Sequence, residues 1–534
     1  MKNILKFGLA VISSATLLSG CIKESIPTSV ASNEQVNSNP AALEAMVNGM
    51  SAFVNKFSVL GGEDPFDWGY PSMGMIRDLM CEDMSTAPSS YEWYTTWITN
   101  QAQGENYLYP QLIWNYYTQF LQTANAVIGA VNEESASQTQ KYYLAMAYCY
   151  RALINLDMGR MYEYKKNNYT TAPELEGMTI PLIKENLTES EARNNPRVPK
   201  EVLLEHIQSD ITKAIELFGG NSEDGSKFSR SSISQPDLSV AYGLQARAYM
   251  WAEDYTNAKT AAQNALAAGK YTPLTEAQWT DTKTGFNNSS SQSSWMWGSI
   301  LTSEDDVVKT GILNWISWIS SETVFGYAGA GPYRLADVNF YSQIPDSDFR
   351  KKSWVAPAGS SLEVPLIAST DEYDNTKLPE YAVVKFRPGS GEPGDSKIGA
   401  VADYPMMRCE EMYFIIAECD AQNGSAASLN SFMQTYRDAS YSCTASGKEA
   451  IVKECIFQKR VEFWGEGIIF FDYKRLNMPV TRYYEGTNHI PDSRFNTNGL
   501  APWMNLCIVR TENNANPACV SNPDPSDLVE DLGE

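Results

Sequence analysis

The run from Val240 to Pro273 narrows the fold more than any other stretch of the chain. Most of it reads A-Y-G-L-Q-A-R-A-Y-M-W-A-E-D-Y-T-N-A-K-T-A-A-Q-N-A-L. Ala246, Ala248 and Tyr249, then Tyr255, Ala258, Ala261, Ala265 and Leu266, recur at helical spacing on two consecutive segments. Small residues on one helix admit bulky ones from its neighbour, so the pattern predicts two closely packed antiparallel helices. Such a pair cannot bury its open face alone and needs further helices stacked on it.

Those further helices are legible. Leu43, Met46, Val47, Met50, Phe53, Val54 and Phe57 predict a helix over 41–57, and a short one carries Ile76 to Met80. Tyr116, Tyr117, Phe120, Leu121, Ala124, Val127 and Ile128 line a strong helix over 113–131. Residues 142–164 form its partner, with Ala145, Ala147 and Ala152 allowing close approach, and 200–218 supplies another helix. Cys409, Met412, Tyr413, Ile416 and Cys419 predict a buried helix starting near Pro405, where proline is tolerated. A second helix, with Ile451, Val452, Cys455 and Ile456 on one face, is stopped by Gly465 and Gly467. The small-and-aromatic pattern of 240–273 resembles the tetratricopeptide repeat. About four helix pairs are expected, interrupted rather than in tandem, in a mostly all-α fold with long irregular insertions and a few short strands.

Two blocks are specific. The first is Y-P-M-M-R-C-E-E-M-Y-F-I-I-A-E-C-D-A, residues 404–421; the second is Q-K-R-V-E-F-W-G-E-G-I-I-F-F-D-Y-K-R, residues 458–475. Together they resemble the hallmark segments of the SusD/RagB family of outer-membrane lipoproteins. The residues that carry the resemblance are Tyr404, Pro405, Arg408, Glu411, Tyr413, Ala417 and Glu418, then Lys459, Arg460, Glu462, Glu466, Gly467, Phe471, Asp472 and Arg475. Ile468 and Ile469 depart from the polar or basic residue usual there, and Cys409 and Glu410 from small ones. Trp114-Asn115-Tyr116-Tyr117 with Ala124-Asn125, the 151–162 segment and Phe349-Arg350-Lys351 are similar to further family segments. The resemblance implies a TPR-like scaffold that binds a nutrient and caps a SusC-like TonB-dependent outer-membrane transporter. It does not name a ligand, because these motifs build the scaffold.

The first residues read as an address. Lys2 and Lys6 precede an apolar run, Phe7 to Leu18, too short to span a bilayer. Leu18-Ser19-Gly20-Cys21 looks like a lipobox, so residues 1–20 are expected to be a lipoprotein signal peptide and Cys21 to be acylated. Residues 21–40, rich in Ser, Asn, Thr and Pro, read as a flexible tether. The expected location is the outer membrane, lipid-anchored and facing outward. Residues 41–534 then form one domain: a helical scaffold over 41–274 and 404–475, a loop-rich insertion over 275–403 and an irregular region over 476–534 whose last dozen residues are expected to fray. The formal charge of −23 makes nucleic acid an unsuitable partner and suits a neutral ligand.

Aromatic residues make up 12% of the chain, and some lie where no helical stripe explains them. Tyr91, Trp93, Tyr94 and Trp97 follow a Pro/Ser turn, and Trp315, Trp318 and Tyr327 lie in the insertion. A sugar ring offers an apolar C–H face and a polar rim, so it needs flat aromatics for one and amides or carboxylates for the other. These seven residues, with Asn100, Gln101 and Asn314 as polar partners, are the candidate oligosaccharide site. Peptide binding by the same fold, as in RagB-type proteins, fits the aromatics equally. A glycoside hydrolase is an alternative of another class, and a pure protein–protein scaffold would instead bury the aromatics.

Catalytic signatures are missing. His206 and His489 lie far apart without metal-ligand neighbours, and no H-E-x-x-H, G-x-S-x-G or Walker pattern occurs. No catalytic residue, metal site or cofactor is therefore expected, although the loops could hold a structural calcium ion. Glu462 and Glu466 read as ion-pair partners of Arg460 or Arg475, and Asp472 as a partner of Arg475. Of nine cysteines, Cys81, Cys149 and Cys455 sit in apolar settings and read as buried thiols. Cys507 and Cys519, flanking an irregular segment, are the candidate disulfide.

Overall fold

The computed structural model describes residues 40–288 and 293–533. The expected signal segment, Cys21 and nearly all of the tether lie outside the described residues. Among the described residues no helix is long and apolar enough to cross a membrane.

The scaffold is a layered stack of helices: α1 (Pro40–Phe53), α2 (Tyr70–Leu79), α3 (Leu108–Ala130), α4 (Gln138–Tyr162), α5 (Lys200–Phe218), α6 (Leu238–Trp251), α7 (Tyr255–Ala268), α8 (Cys409–Gln422), α9 (Ala427–Tyr436), α10 (Lys448–Phe463) and α11 (Ile469–Arg475). Neighbouring helices pack on one another: α3 on α4, α4 on α5, α6 on α7, α7 on α8 and α8 on α10. Ala246 and Ala248 on α6 and Ala258, Ala261 and Ala265 on α7 are all buried, as close packing around these helices demands. Some boundaries move. α4 begins four residues earlier than its apolar stripe, because Ser137 and Gln140 close a reciprocal capping box. α2 begins at Tyr70, with Pro71 in its first turn.

The first block starts differently from its sequence reading. Residues 404–408 are a strand, and the helix begins only at Cys409. The strand pairs antiparallel with Trp295–Ser299, Gly298 opposite Pro405 and Ser299 opposite Tyr404. A residue before proline is biased away from the helical region, and a two-stranded ribbon tolerates the missing N–H. Trp295-Met296-Trp297 is thereby part of a strand. Two more ribbons are formed by Met84–Thr86 with Arg334–Ala336 and by Met178–Pro181 with Arg197–Pro199.

The second block ties the insertion to the scaffold through buried charge. Glu462 is fully buried and accepts from Arg437 (2.7 Å), Arg408 (3.2 Å) and Arg350 (3.2 Å). Glu466 meets Arg408 at 2.9 Å and Lys385 at 2.7 Å. The expected partners of these two glutamates are therefore replaced. Arg460 turns instead to Glu82 and Asp83, and Arg475 to Glu418 and Asp472; only the Asp472–Arg475 pair is as expected. Spacing along one helix could not show that Arg350 and Lys385 arrive from the insertion. Gly467, at φ 72°, lets the chain turn where a Cβ would stand 2.3 Å from Gly74 Cα.

The C-terminal region is irregular but strapped down rather than frayed. Asn522 donates to the carbonyls of Tyr162 and Leu506, and Leu532 N donates to Arg494 O. Cys81, Cys149 and Cys455 are buried free thiols. Cys507 and Cys519 are free too, which corrects the expected disulfide. Cys507 Sγ turns to the carbonyls of Asn522 and Pro523, both at 3.4 Å, and burial pushes both thiols up to about 12. Iodoacetamide added in guanidinium without reductant should therefore alkylate both. Recovery of a linked 507–519 peptide would contradict the fold around Asn522.

Candidate functional site

The ribbon of Met84–Thr86 with Arg334–Ala336 brings two distant loops side by side. It continues past the strand end, where Ala87 N donates to Tyr333 O at 2.9 Å. Residues 88–97 therefore lie against 315–333. Glu92, between Tyr91 and Trp93, forms an ion pair with Arg334 and also accepts Tyr94 N at 2.9 Å. The Arg334 guanidinium lies 5.5 Å from the Tyr94 ring centre and 5.3 Å from that of Trp318. Tyr94 meets Trp318 edge to face at 5.0 Å. Trp318 in turn stacks on Tyr327, 4.2 Å between centres and 10° between planes. Ser317 Oγ accepts Tyr327 N, and Pro65 O accepts Trp318 Nε1.

Only part of the candidate set has surface to offer. Tyr91 is 55% and Trp93 49% exposed, and Tyr327 is half-buried. Four aromatics are corrected from ligand contacts to support. Tyr94 is buried with its hydroxyl 3.0 Å from Ser72 Oγ. Trp97 packs edge-on against Phe66 and Tyr109. Trp315 is wedged between Phe386 and Tyr404, in the core under the insertion. Trp318 is buried beneath Tyr327. The polar partners change in the same way. Asn100 is buried and donates to Pro525 O, Asn314 caps the turn Trp315–Ile319 through Ser317 N, and only Gln101 is exposed.

Tyr91 and Trp93 on one loop and Tyr327 and Val324 on the other thus keep exposed surface, while the cation–aromatic layer of Arg334, Tyr94 and Trp318 is buried between the two loops. The Glu92–Arg334 pair neutralises itself, so the layer carries no net charge. Burial raises the Tyr327 and Tyr333 hydroxyls above their ordinary value, which keeps them as neutral hydrogen-bonding groups. Sequence reasoning missed Glu92 and Arg334. A lone carboxylate among aromatics gives no sign of a partner 242 positions away.

The two histidines are not at this site. His489 is buried, held down to about 3 by burial, and its Nε2 lies 3.0 Å from Glu82 O. Burial lowers His206 as well, 3.8 Å from Asp210. Among the described residues no three His, Cys, Asp or Glu side chains converge as a metal cage.

The fold has relatives. The SusD family model matches residues 339–517, which include both the strand–helix block and the buried charge cluster. Over those residues the chain matches the SusD family. A SusD-like carbohydrate binding protein from Bacteroides vulgatus superposes with a TM-score of 0.68 at 20% identity, over 90% of this chain and 97% of its own. A SusD superfamily protein from Bacteroides thetaiotaomicron gives 0.67 at 16%, over 90% and 99%. A laminarin binding SusD-like protein gives 0.59 at 15%, over 91% and 99%. No curated protein matches this SusD-like chain. At these identities the solved structures bear on the fold, which is the mostly helical one expected of the family.

Proposed function

We propose that this protein is a cell-surface glycan-binding lipoprotein that captures oligosaccharide on the Tyr91–Trp93–Tyr327 platform. It then passes the ligand to a SusC-like TonB-dependent transporter. The observation that carries the reading is the pair of solvent-facing aromatics, Tyr91 and Trp93, held on a rigid, charge-neutral support. Flat apolar faces beside neutral hydroxyls match the two-sided chemistry of a sugar ring. A SusD-like neighbour that binds laminarin supports a glycan as ligand class. On this reading the protein binds without turnover, and acylated Cys21 holds it to the outer membrane by more than one chain.

Calorimetry of the soluble chain against a panel of neutral glucans, laminarin among them, tests the ligand class. A peptide library is the contrasting arm. Trp93→Ala and Tyr91→Ala should each weaken glycan binding by about 1–3 kcal/mol, by analogy with base–aromatic stacking, and leave the unfolding midpoint unchanged because both rings are half exposed. Wild-type affinity in both variants would move the site elsewhere. Mass spectrometry of the envelope-derived protein should find its N-terminus at a lipid-modified Cys21.

A further inference from the structure

The seam between α4, α6, α8, α10 and α11 holds more positive charge than its own carboxylates neutralise, in a chain whose net charge is −23. A partly open cavity of about 30 Å³ sits there. Arg160, Arg247, Lys459 and Arg475 line it against Asp157, Glu411 and Asp472. Each carboxylate is in an ion pair, although Asp472 Oδ2 meets Lys459 without a well-formed hydrogen bond. Asp157 takes Tyr70 (2.7 Å) and Arg160 (2.6 Å), Glu411 takes Arg247 with both oxygens, and Asp472 takes Lys459 (2.7 Å) and Arg475 (2.9 Å).

The donors are not all used. Arg247 spends Nε and Nη2 on Glu411 and the Met406 carbonyl, and among the described residues its Nη1 has no protein acceptor. Arg160 spends Nε on Leu156 O and Nη2 on Asp157, which likewise leaves Nη1. Lys459 uses one of its three protons on Asp472. A smaller cavity beyond Arg160 and Arg475 adds Lys165, Lys200 and Lys474 against Glu163 alone. Arg77 stands behind Asp157, Glu418 behind Arg475, and Glu253 acts on Lys165 from the rim. With these included, eight cations face six carboxylates. Burial lowers Arg160, Lys165 and Lys474, whereas Arg247 and Arg475, though buried, are held above the ordinary arginine value by Glu411 and Glu418.

We propose that the 30 Å³ cavity is a binding site for a small inorganic anion of chloride size, held by Arg160, Arg247 and Lys459. The volume suits one monatomic ion or one to two waters. Surplus buried cations with spare N–H groups favour the ion, because an uncompensated buried charge is costly. The anion binds only the folded chain and so stabilises the scaffold by mass action, on the face of α4 that carries Asp157 and Arg160 and independently of any glycan.

Two measurements on the full soluble chain decide it. Crystals soaked in sodium bromide should show an anomalous peak in the cavity between Arg160 and Arg247. Melting temperature in sodium chloride should exceed that in sodium gluconate at equal ionic strength by about 2 °C. A cavity without anomalous signal overturns the proposal, and so does an equal melting temperature in the two salts. Arg160→Met leaves Asp157 paired with Arg77 and Tyr70, so the folded variant should lose the salt difference. Its persistence there also counts against the site, and the first two measurements stand if the variant does not fold.

Discussion

Glu462→Ala should lower the stability of the folded chain by about 3–5 kcal/mol, the usual cost of breaking a fully buried ion pair from one side. Four cations and four carboxylates meet around this residue. Arg350, Lys385, Arg408 and Arg437 face Asp348, Glu410, Glu462 and Glu466. The cluster is balanced, and nearly every member has no solvent exposure. Removing Glu462 takes the shared acceptor from three guanidiniums at once and leaves one uncompensated positive charge in the core. Domains are stable by only about 5–15 kcal/mol, so the loss would be visible as a large drop in urea midpoint. An unchanged midpoint would mean that water or another carboxylate replaces Glu462.

The same cluster sets a pH signature. Burial alone would raise the Glu462 carboxyl, but Arg437, Arg408 and Arg350 hold it well below its ordinary value of 4.5. A depressed folded value means that the ionised group stabilises the fold fully above about 4.5 and loses that contribution progressively as the pH falls from there through the folded value. The stability difference between wild type and Glu462→Gln should therefore be full at pH 7 and shrink on acidification from pH 4.5. Growth of the difference in acid would contradict the assignment. Taking the difference between the two proteins removes opposing groups such as Asp78, whose carboxyl burial raises to about 8.

How much of this the amino-acid sequence shows depends on what each residue depends on. Helices follow from local spacing, so α3 to α8 and α10 are visible from Tyr116, Ala145, Ala258 or Cys455 without any partner. The start of α8 is not, because Tyr404 to Arg408 are committed to a strand by Trp295–Ser299, more than a hundred positions earlier. The paired carboxylates Glu462 and Glu466 are recognisable as ion-pair residues, yet Arg350 and Lys385 reach them only through the folded insertion. The loop aromatics show the same division. Periodicity marks Tyr91, Trp93, Tyr94 and Trp97 as unexplained by any helix, but it cannot separate the two that face water from the two packed on Phe66 and Trp318. Exposure is decided by Arg334 and Pro65, which lie in other segments.

Arg334→Met should weaken both the fold and the platform. Arg334 is fully buried, with its guanidinium against Tyr94 and Trp318 and its charge on Glu92. Methionine fills part of the volume but leaves the Glu92 carboxylate, itself only 5% exposed, without a cation. The expected stability loss is about 3 kcal/mol. Glu92 also accepts Tyr94 N, so an unpaired carboxylate that swings toward water pulls on the segment carrying Tyr91 and Trp93. Ligand affinity should fall at least about tenfold, or roughly 1.4 kcal/mol, although Arg334 itself cannot touch ligand. Adding Glu92→Gln separates the two effects. The double variant has no buried charge left to compensate, so most of the lost stability should return. Affinity should stay low, because the tie between the 88–97 loop and the Arg334–Ala336 strand is still absent. Recovery of wild-type affinity along with stability would show that the pair supports the fold alone and that Tyr91 and Trp93 hold their places without it.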